Sequence, residues 1–210
     1  MKLPDRQAAL AQYRRRAAVY DFELALFEPV RRQAIAQLAL RAGDVVIDVG
    51  CGTGLSLPLL HGAVGAKGRI IGIEQSPEMM DRARQRVASS RWHNVSLLDS
   101  PVESAAIAGR ADAALFHFTH DILRHPDALA NVFDHLRPGA HVVASGLKWA
   151  PRWAVATNLI VWAAALRSTT SLEGMARPWS DLAARLEDFE VQPLLMGAAY
   201  LAHGRLGAAP

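Results

Sequence analysis

Residues 45–54 read VVIDVGCGTG, and this stretch decides the fold. Val45, Val46, Ile47 and Val49 form a short β-branched run bounded by glycines, the pattern of a strand buried on both faces of a parallel sheet. Gly50, Gly52 and Gly54 then let the chain turn sharply and bring bare backbone to a ligand, and a helix resumes only after Gly54. In an open α/β sheet, ligands bind at the carboxyl ends of the strands, beside the point where strand order reverses. A three-glycine turn can also be a plain strand-to-helix connection with no ligand, so the segments around it carry the decision.

Outward from this turn, strands at 69–74, 95–98, 112–117 and 140–145 alternate with helices at 77–90 and about 126–136. Ser76-Pro77-Glu78 is a helix-start signal, His125-Pro126 is another, and Arg137-Pro138-Gly139 reads as a turn. Upstream, residues 5–40 read as helical, with Leu24, Phe27, Val30, Ala34 and Leu38 at three- and four-residue steps and Pro29 starting a second helix. The last third holds a Trp-rich helical stretch at 151–168, a loop at 169–177, a helix near 179–186 and strands near 189–196 and 198–205. The expectation is an α/β fold, a doubly wound and mostly parallel sheet, with an antiparallel C-terminal hairpin at one edge.

Length and composition set the outer bounds. The chain has 210 residues, close to one domain's worth, with 51% hydrophobic and 20% charged residues, which excludes disordered and collagen-like classes. A net charge of +3, carried almost entirely by scattered arginines, gives no concentrated positive field, and no nucleic-acid partner is expected. Cys51 is the one cysteine, so an internal disulfide and a multi-cysteine zinc site are excluded. The opening MKLPDRQAAL has no apolar core of a secretory signal, and the expected location is cytoplasmic. One domain is expected over 1–210: an N-terminal helical lid at 1–40, a cofactor-binding core at 41–147, and substrate-side helices and strands at 148–210.

Glu74 ends the second strand about 20 residues beyond the glycines, where an acidic side chain in this fold accepts hydrogen bonds from ribose hydroxyls. The dinucleotide fingerprint G-x-G-x-x-G requires glycine or alanine at 55, where Leu55 stands. The run Asp48-Val49-Gly50-Cys51-Gly52-Thr53-Gly54 instead closely resembles the signature of class I S-adenosylmethionine-dependent methyltransferases, with motif order maintained over roughly 40–147. The resemblance implies S-adenosylmethionine as cofactor. Its aminoacid part would lie on the loop of Gly50, Cys51, Gly52 and Gly54, with Asp48 organising the loop and the ammonium. Glu74 would bind the ribose, and Gln75, Ser76 and Met79 would border the ribose and adenine. The family's acidic residue after the third strand falls on Asp99, toward the adenine amino group, with Ser100 beside it.

The family also places residues after the fourth strand against the transferred methyl and the acceptor, which brings in Phe116, His117, His120 and Asp121. His120 and Asp121 are the candidate catalytic pair, with His117 lower in rank and His125 read as a helix start. Beyond the cofactor half, AVYDFELALFEPVR, IEQSPEMMDRAR, LRPGAHVVASGLKW and AAYLAHGRL are similar to the ubiquinone- and menaquinone-biosynthesis methyltransferases and to bacterial phosphatidylethanolamine N-methyltransferase-like proteins. That similarity implies a lid helix bearing Tyr20-Asp21 and adds Tyr20 to the candidates. No metal is expected, because the histidines form no helical H-x-x-x-H pair.

Trp149, Trp153 and Trp162 mark PRWAVATNLIVWAAALRS as the stretch that says most about the acceptor. It reads as a buried helix, as the wall of a hydrophobic acceptor pocket, or as a helix resting on a membrane interface. The favoured acceptor is a small molecule, apolar or amphiphilic, lipid-like or an aromatic metabolite, with membrane contact at most peripheral. Two other readings stand beside it: a non-catalytic S-adenosylmethionine-binding scaffold, and a nicotinamide-dependent oxidoreductase.

Overall fold

The computed structural model describes residues 24–169 and 171–207. Seven strands form one sheet: β1 (Val45–Val49), β2 (Arg69–Glu74), β3 (Val95–Asp99), β4 (Ala111–His117), β5 (Leu136–Leu147), β6 (Leu186–Leu194) and β7 (Ala199–Leu206). Their spatial order is β3-β2-β1-β4-β5-β7-β6. The first five run parallel, and β7 inserts antiparallel between β5 and β6. The order reverses between β1 and β4, so the crevice of an open sheet falls at their carboxyl ends.

The helices are α1 (Glu28–Gln37), α2 (Leu57–Val64), α3 (Pro77–Ser90), α4 (His120–Leu123), α5 (Pro126–Asp134), α6 (Val155–Ser168) and α7 (Ser180–Ala183). Alternate residues of the central strands feed two cores. Ile47, Val49, Ile71, Ile73, Ala114 and Phe116 pack with α5 on one face. Val46, Ile70, Ala113 and Leu115 pack with α1 and α2 on the other. A strand whose two faces are both covered needs apolar residues at every position, which is why β1 reads as an unbroken β-branched run.

Local signals gave the sharpest boundaries. The α3 range matches the expected 77–90, with Ser76 at the N-cap accepting from the Met79 amide at 3.4 Å and Pro77 in the first turn. Several boundaries differ from expectation, three of them instructively. The first helix after the glycines starts at Leu57, because Leu57 N–H still closes a turn onto Gly54 O. Strand β5 begins at Leu136 and absorbs Arg137-Pro138-Gly139, since Leu136 pairs with Ala111 before an irregularity resets the register at Ala113 and His141. Helix α7 is a single turn, because Leu186 already pairs with Leu206 in the edge hairpin. That hairpin has the expected antiparallel sense and place. Residues 1–23, with the first part of the lid expected at 1–40 and with Tyr20, lie outside the described residues.

Candidate functional site

The glycine loop follows β1 and sits over the junction with β4. Gly50 has φ 66°, and a Cβ there would lie 2.7 Å from Thr119 Cγ2, so the loop touches the turn after β4 only because position 50 has no side chain. Gly54, at φ 79°, packs the loop's end against α2 and α3, where a Cβ would come within 2.7 Å of Leu57 Cδ1 and 3.4 Å of Ala83. Cys51 N–H donates to Ile73 O at 2.9 Å, which ties the loop's start to β2. The Cys51 thiol is buried, and burial together with Asp48 and Glu74 pushes its pKa up, so it stays protonated and acts as filler.

Glu74 holds the loop from the end of β2. Its Oε2 accepts Gly52 N–H at 3.0 Å, and its Oε1 accepts Gln75 N–H at 2.9 Å and Ser76 N–H at 2.7 Å. Burial pushes its pKa up, these three amides oppose that, and Asp99 adds to the rise. The two oxygens together offer about four lone pairs, so acceptor capacity remains for a ligand. Asp99 pairs in register with Glu74 on the neighbouring strand, which sets two acids side by side at the strand ends. Asp99 also meets Arg84 at 2.9 Å at the surface. Ser100 donates its hydroxyl to Pro101 O at 2.9 Å, and its amide donates to Glu74 O. Gln75 and Ser76 thus contribute through their backbone amides. Met79 and Phe116 are wholly buried, with Phe116 in the larger core, so both side chains are packing residues here.

Asp48 lies inside β1, only 2% exposed, with Oδ2 unpartnered. Burial pushes its pKa up to about 7, Arg31 pulls it back, and Glu74 pushes it further. Arg31, on α1, is buried as well. Its Nη1 donates to Glu28, while Nε and Nη2 have no partner among the described residues. Arg31 and Asp48 feel each other's charge, yet no ion pair joins them among the described residues. A buried cation and a buried carboxylate, each with unused hydrogen-bonding atoms, are costly unless a ligand completes them. Arg31 escaped the sequence reading because α1 reads as an apolar stripe of Val30, Ala34, Ile35 and Leu38. The available signal was a charge at position 31 within that stripe, three and four residues from Ala34 and Ile35.

At the carboxyl end of β4 and in the turn after it lies a second set of polar groups. His117 Nδ1 and Ser145 Oγ are 2.7 Å apart, and Nε2 is buried without a partner. Burial, with the Arg31 charge, pushes the His117 pKa down to about 3, so the ring is neutral at ordinary pH. His120 Nε2 lies 3.0 Å from Glu173 O. A carbonyl only accepts, so Nε2 carries the proton and the unpartnered Nδ1 presents its lone pair. Burial lowers the His120 pKa, which keeps that lone pair free at neutral pH. Glu173 also pairs with the buried Arg124 at 2.7 Å and so latches the loop before α7 onto α4. Asp121 stands next to His120 on α4, and the Thr119 hydroxyl, also buried and unpartnered, completes the set.

Residues 46–139 match the family model described as a methyltransferase domain. A demethylmenaquinone methyltransferase of Symbiobacterium thermophilum is 29% identical over 124 residues, covering 56% of this chain and 48% of that protein. The aklanonic acid methyltransferase DauC of a Streptomyces species is 27% identical over 126 residues, covering 57% of each. Among solved structures, the N-methyltransferase NodS of Bradyrhizobium japonicum, in complex with S-adenosyl-L-homocysteine, superposes with a TM-score of 0.68 at 21% identity. That match covers 94% of this chain and 98% of the other. Other chains of the same fold are described as rRNA methylases, so the fold alone does not choose an acceptor. The chain spans between about a third and a half of the length of the first curated relatives it matches. Over residues 46–139 it is similar to the methyltransferase domains of these proteins. Among the described residues, no helix is long and apolar enough to cross a membrane.

Proposed function

We propose, from this similarity to methyltransferase domains, that the protein transfers the methyl group of S-adenosylmethionine to a small apolar or amphiphilic acceptor without a metal ion. The observation that carries the reading is the opposed, uncompleted pair of Arg31 and Asp48 beside the glycine loop. An α-amino acid end of a ligand presents a carboxylate and an ammonium together. Arg31 Nε and Nη2 supply donors for the first, and Asp48 Oδ2 supplies an acceptor for the second. Glu74 keeps the loop closed and has about one lone pair left, on Oε2, for a ribose hydroxyl, and Asp99 stands beside it for an amino group of the base.

When bound, S-adenosylmethionine supplies a methyl on a sulfonium, an already activated leaving group for in-line displacement. Alignment then provides most of the catalysis. The chain's part is to orient the acceptor and to take its proton where it has one. His120 Nδ1 is an unpartnered lone pair on a half-buried neutral ring whose tautomer is fixed by Glu173 O, and it suits the second task with Asp121 beside it. His117 Nε2 and the Thr119 hydroxyl suit the first. An apolar or amphiphilic acceptor is supported by the aliphatic and Trp content of 149–166 at the end of β5, on the same side of the sheet as the crevice.

Calorimetric titration with S-adenosylmethionine and S-adenosylhomocysteine tests the cofactor, with NADH as control and Glu74→Ala beside the native chain. Saturable binding of both sulfur nucleosides, weakened in the variant, is the expected result. Preference for NADH, or no binding, ends this reading.

A further inference from the structure

Helix α6 uses only part of its circumference. Val161 and Ala165 are buried and pack with Met175, Trp149, Leu147 and Ala198 at the carboxyl end of β5 and the start of β7. The rest of the helix turns Leu159, Ile160, Trp162 and Leu166 outward, with Trp153 just ahead of it. Trp153 is 81% exposed and Ile160 71%. The turn joining β6 to β7 adds a second element: Met196 at its tip is 84% exposed, and the next residue, Gly197, packs against Pro151, with its ideal Cβ 3.0 Å from Pro151 Cδ. Two separate pieces of chain therefore raise apolar tips on one side of the molecule, an arrangement that a protein surface bathed only in water does not favour.

The sequence around these tips is free of acids: residues 148–172 contain no aspartate or glutamate, and residues 191–200 contain no charged side chain. Arg152, next to Trp153, is exposed, and the next acid along the chain, Glu173, is engaged by Arg124. A second copy on a two-fold axis would bring the same cation and no acid from these segments. An anionic headgroup layer complements it, while the two tryptophans suit the boundary between headgroups and acyl chains.

We propose that the outer face of α6, together with the Met196 turn, docks the protein on an anionic lipid surface. The aliphatic and Trp side chains enter the interfacial layer, and Arg152 meets the headgroup phosphates. The proposal does not depend on methyl transfer.

The test is co-sedimentation of the full chain with vesicles of phosphatidylcholine alone or mixed with phosphatidylglycerol, at low and high salt. The native chain is expected to bind the mixed vesicles, less at high salt. The double variant Ile160→Glu, Met196→Glu is expected to partition about ten-fold more weakly or worse, because two acids replace apolar anchors at the interface. Ser89→Glu, an exposed change on α3, is expected to bind as the native chain does, and circular dichroism with thermal melts confirms that each variant folds. Absence of vesicle binding, or binding that the double variant retains, overturns the proposal. So does a dimer in analytical ultracentrifugation that the double variant dissolves, which would assign the face to a second copy.

Discussion

Replacing Arg31 with methionine separates a ligand-binding arginine from a structural one. The side chain is buried, its Nε and Nη2 donors are unpaired, and its one ion pair among the described residues is with Glu28, three positions earlier on the same helix. A pair at that spacing contributes only about 0.2–0.5 kcal/mol. Removing a buried, poorly satisfied charge also removes its desolvation penalty, which is on the order of several kcal/mol. The ligand-free R31M chain should therefore melt at or above the native temperature. Binding should move the other way: a hydrogen bond to a charged group is worth about 1.5–3 kcal/mol, so the loss of even one should raise the Kd for S-adenosylhomocysteine about 10- to 150-fold. Calorimetry gives the Kd, and thermal melts with and without ligand give the stability. The Arg31 charge also pushes the His117 pKa down, so in R31M that histidine should titrate at higher pH by NMR. A lower melting temperature with an unchanged Kd would refute the reasoning, because it would make Arg31 a packing residue whose unused donors serve no ligand.

Asp48 should make stability depend on pH. Its folded pKa is raised from 3.8 to about 7, so between those values the folded chain binds the extra proton and loses stability as pH rises. The total is on the order of 4 kcal/mol, complete near pH 7. Asp48→Asn should flatten that slope in denaturant titrations run from pH 4 to pH 8 and weaken cofactor binding. Gly50→Ala forces a Cβ to within 2.7 Å of Thr119 at a positive φ, and should cost roughly 1–3 kcal/mol in chemical unfolding. His120→Gln should lower kcat while sparing the cofactor Kd. For an acceptor that loses a proton, it should also abolish the acid limb of the kcat/KM profile, which lies below pH 6.5 because burial lowers this histidine's pKa. An acid limb that persists in the variant would assign the base elsewhere.

The fold was legible wherever the signal was local. Ser76, Pro77 and Glu78 announce α3 by satisfying a helix start from within the segment, and the unbroken run at Val45–Val49 announces a strand covered on both faces. Reading failed where a partner distant in sequence sets the boundary. Arg137-Pro138-Gly139 has the composition of a turn, but Leu136 already pairs with Ala111, and no neighbour of position 136 states this. The helix read near 179–186 lost its second half to the pairing of Leu186 with Leu206 for the same reason.

The candidate site divides along a related line. Glu74 was found from its position after the second strand, because topology delivers that strand end to the crevice whatever the surroundings. Its three amide partners were invisible, since they depend on the loop's final path. Arg31 shows the converse. In the sequence it is one arginine among many on helical faces, and it becomes informative only when burial removes its solvent and leaves two donors unpaired. Desolvation turns an ordinary side chain into a statement about a missing partner, because the cost of an uncompleted buried charge exceeds what a chain tolerates without return. The same logic gives His120 its meaning: the Glu173 carbonyl fixes one nitrogen as a donor, burial keeps the ring neutral, and the other nitrogen is left as a base. Residue type proposed both histidines at the end of β4, and the hydrogen-bond partner of each decides which nitrogen it leaves unpartnered.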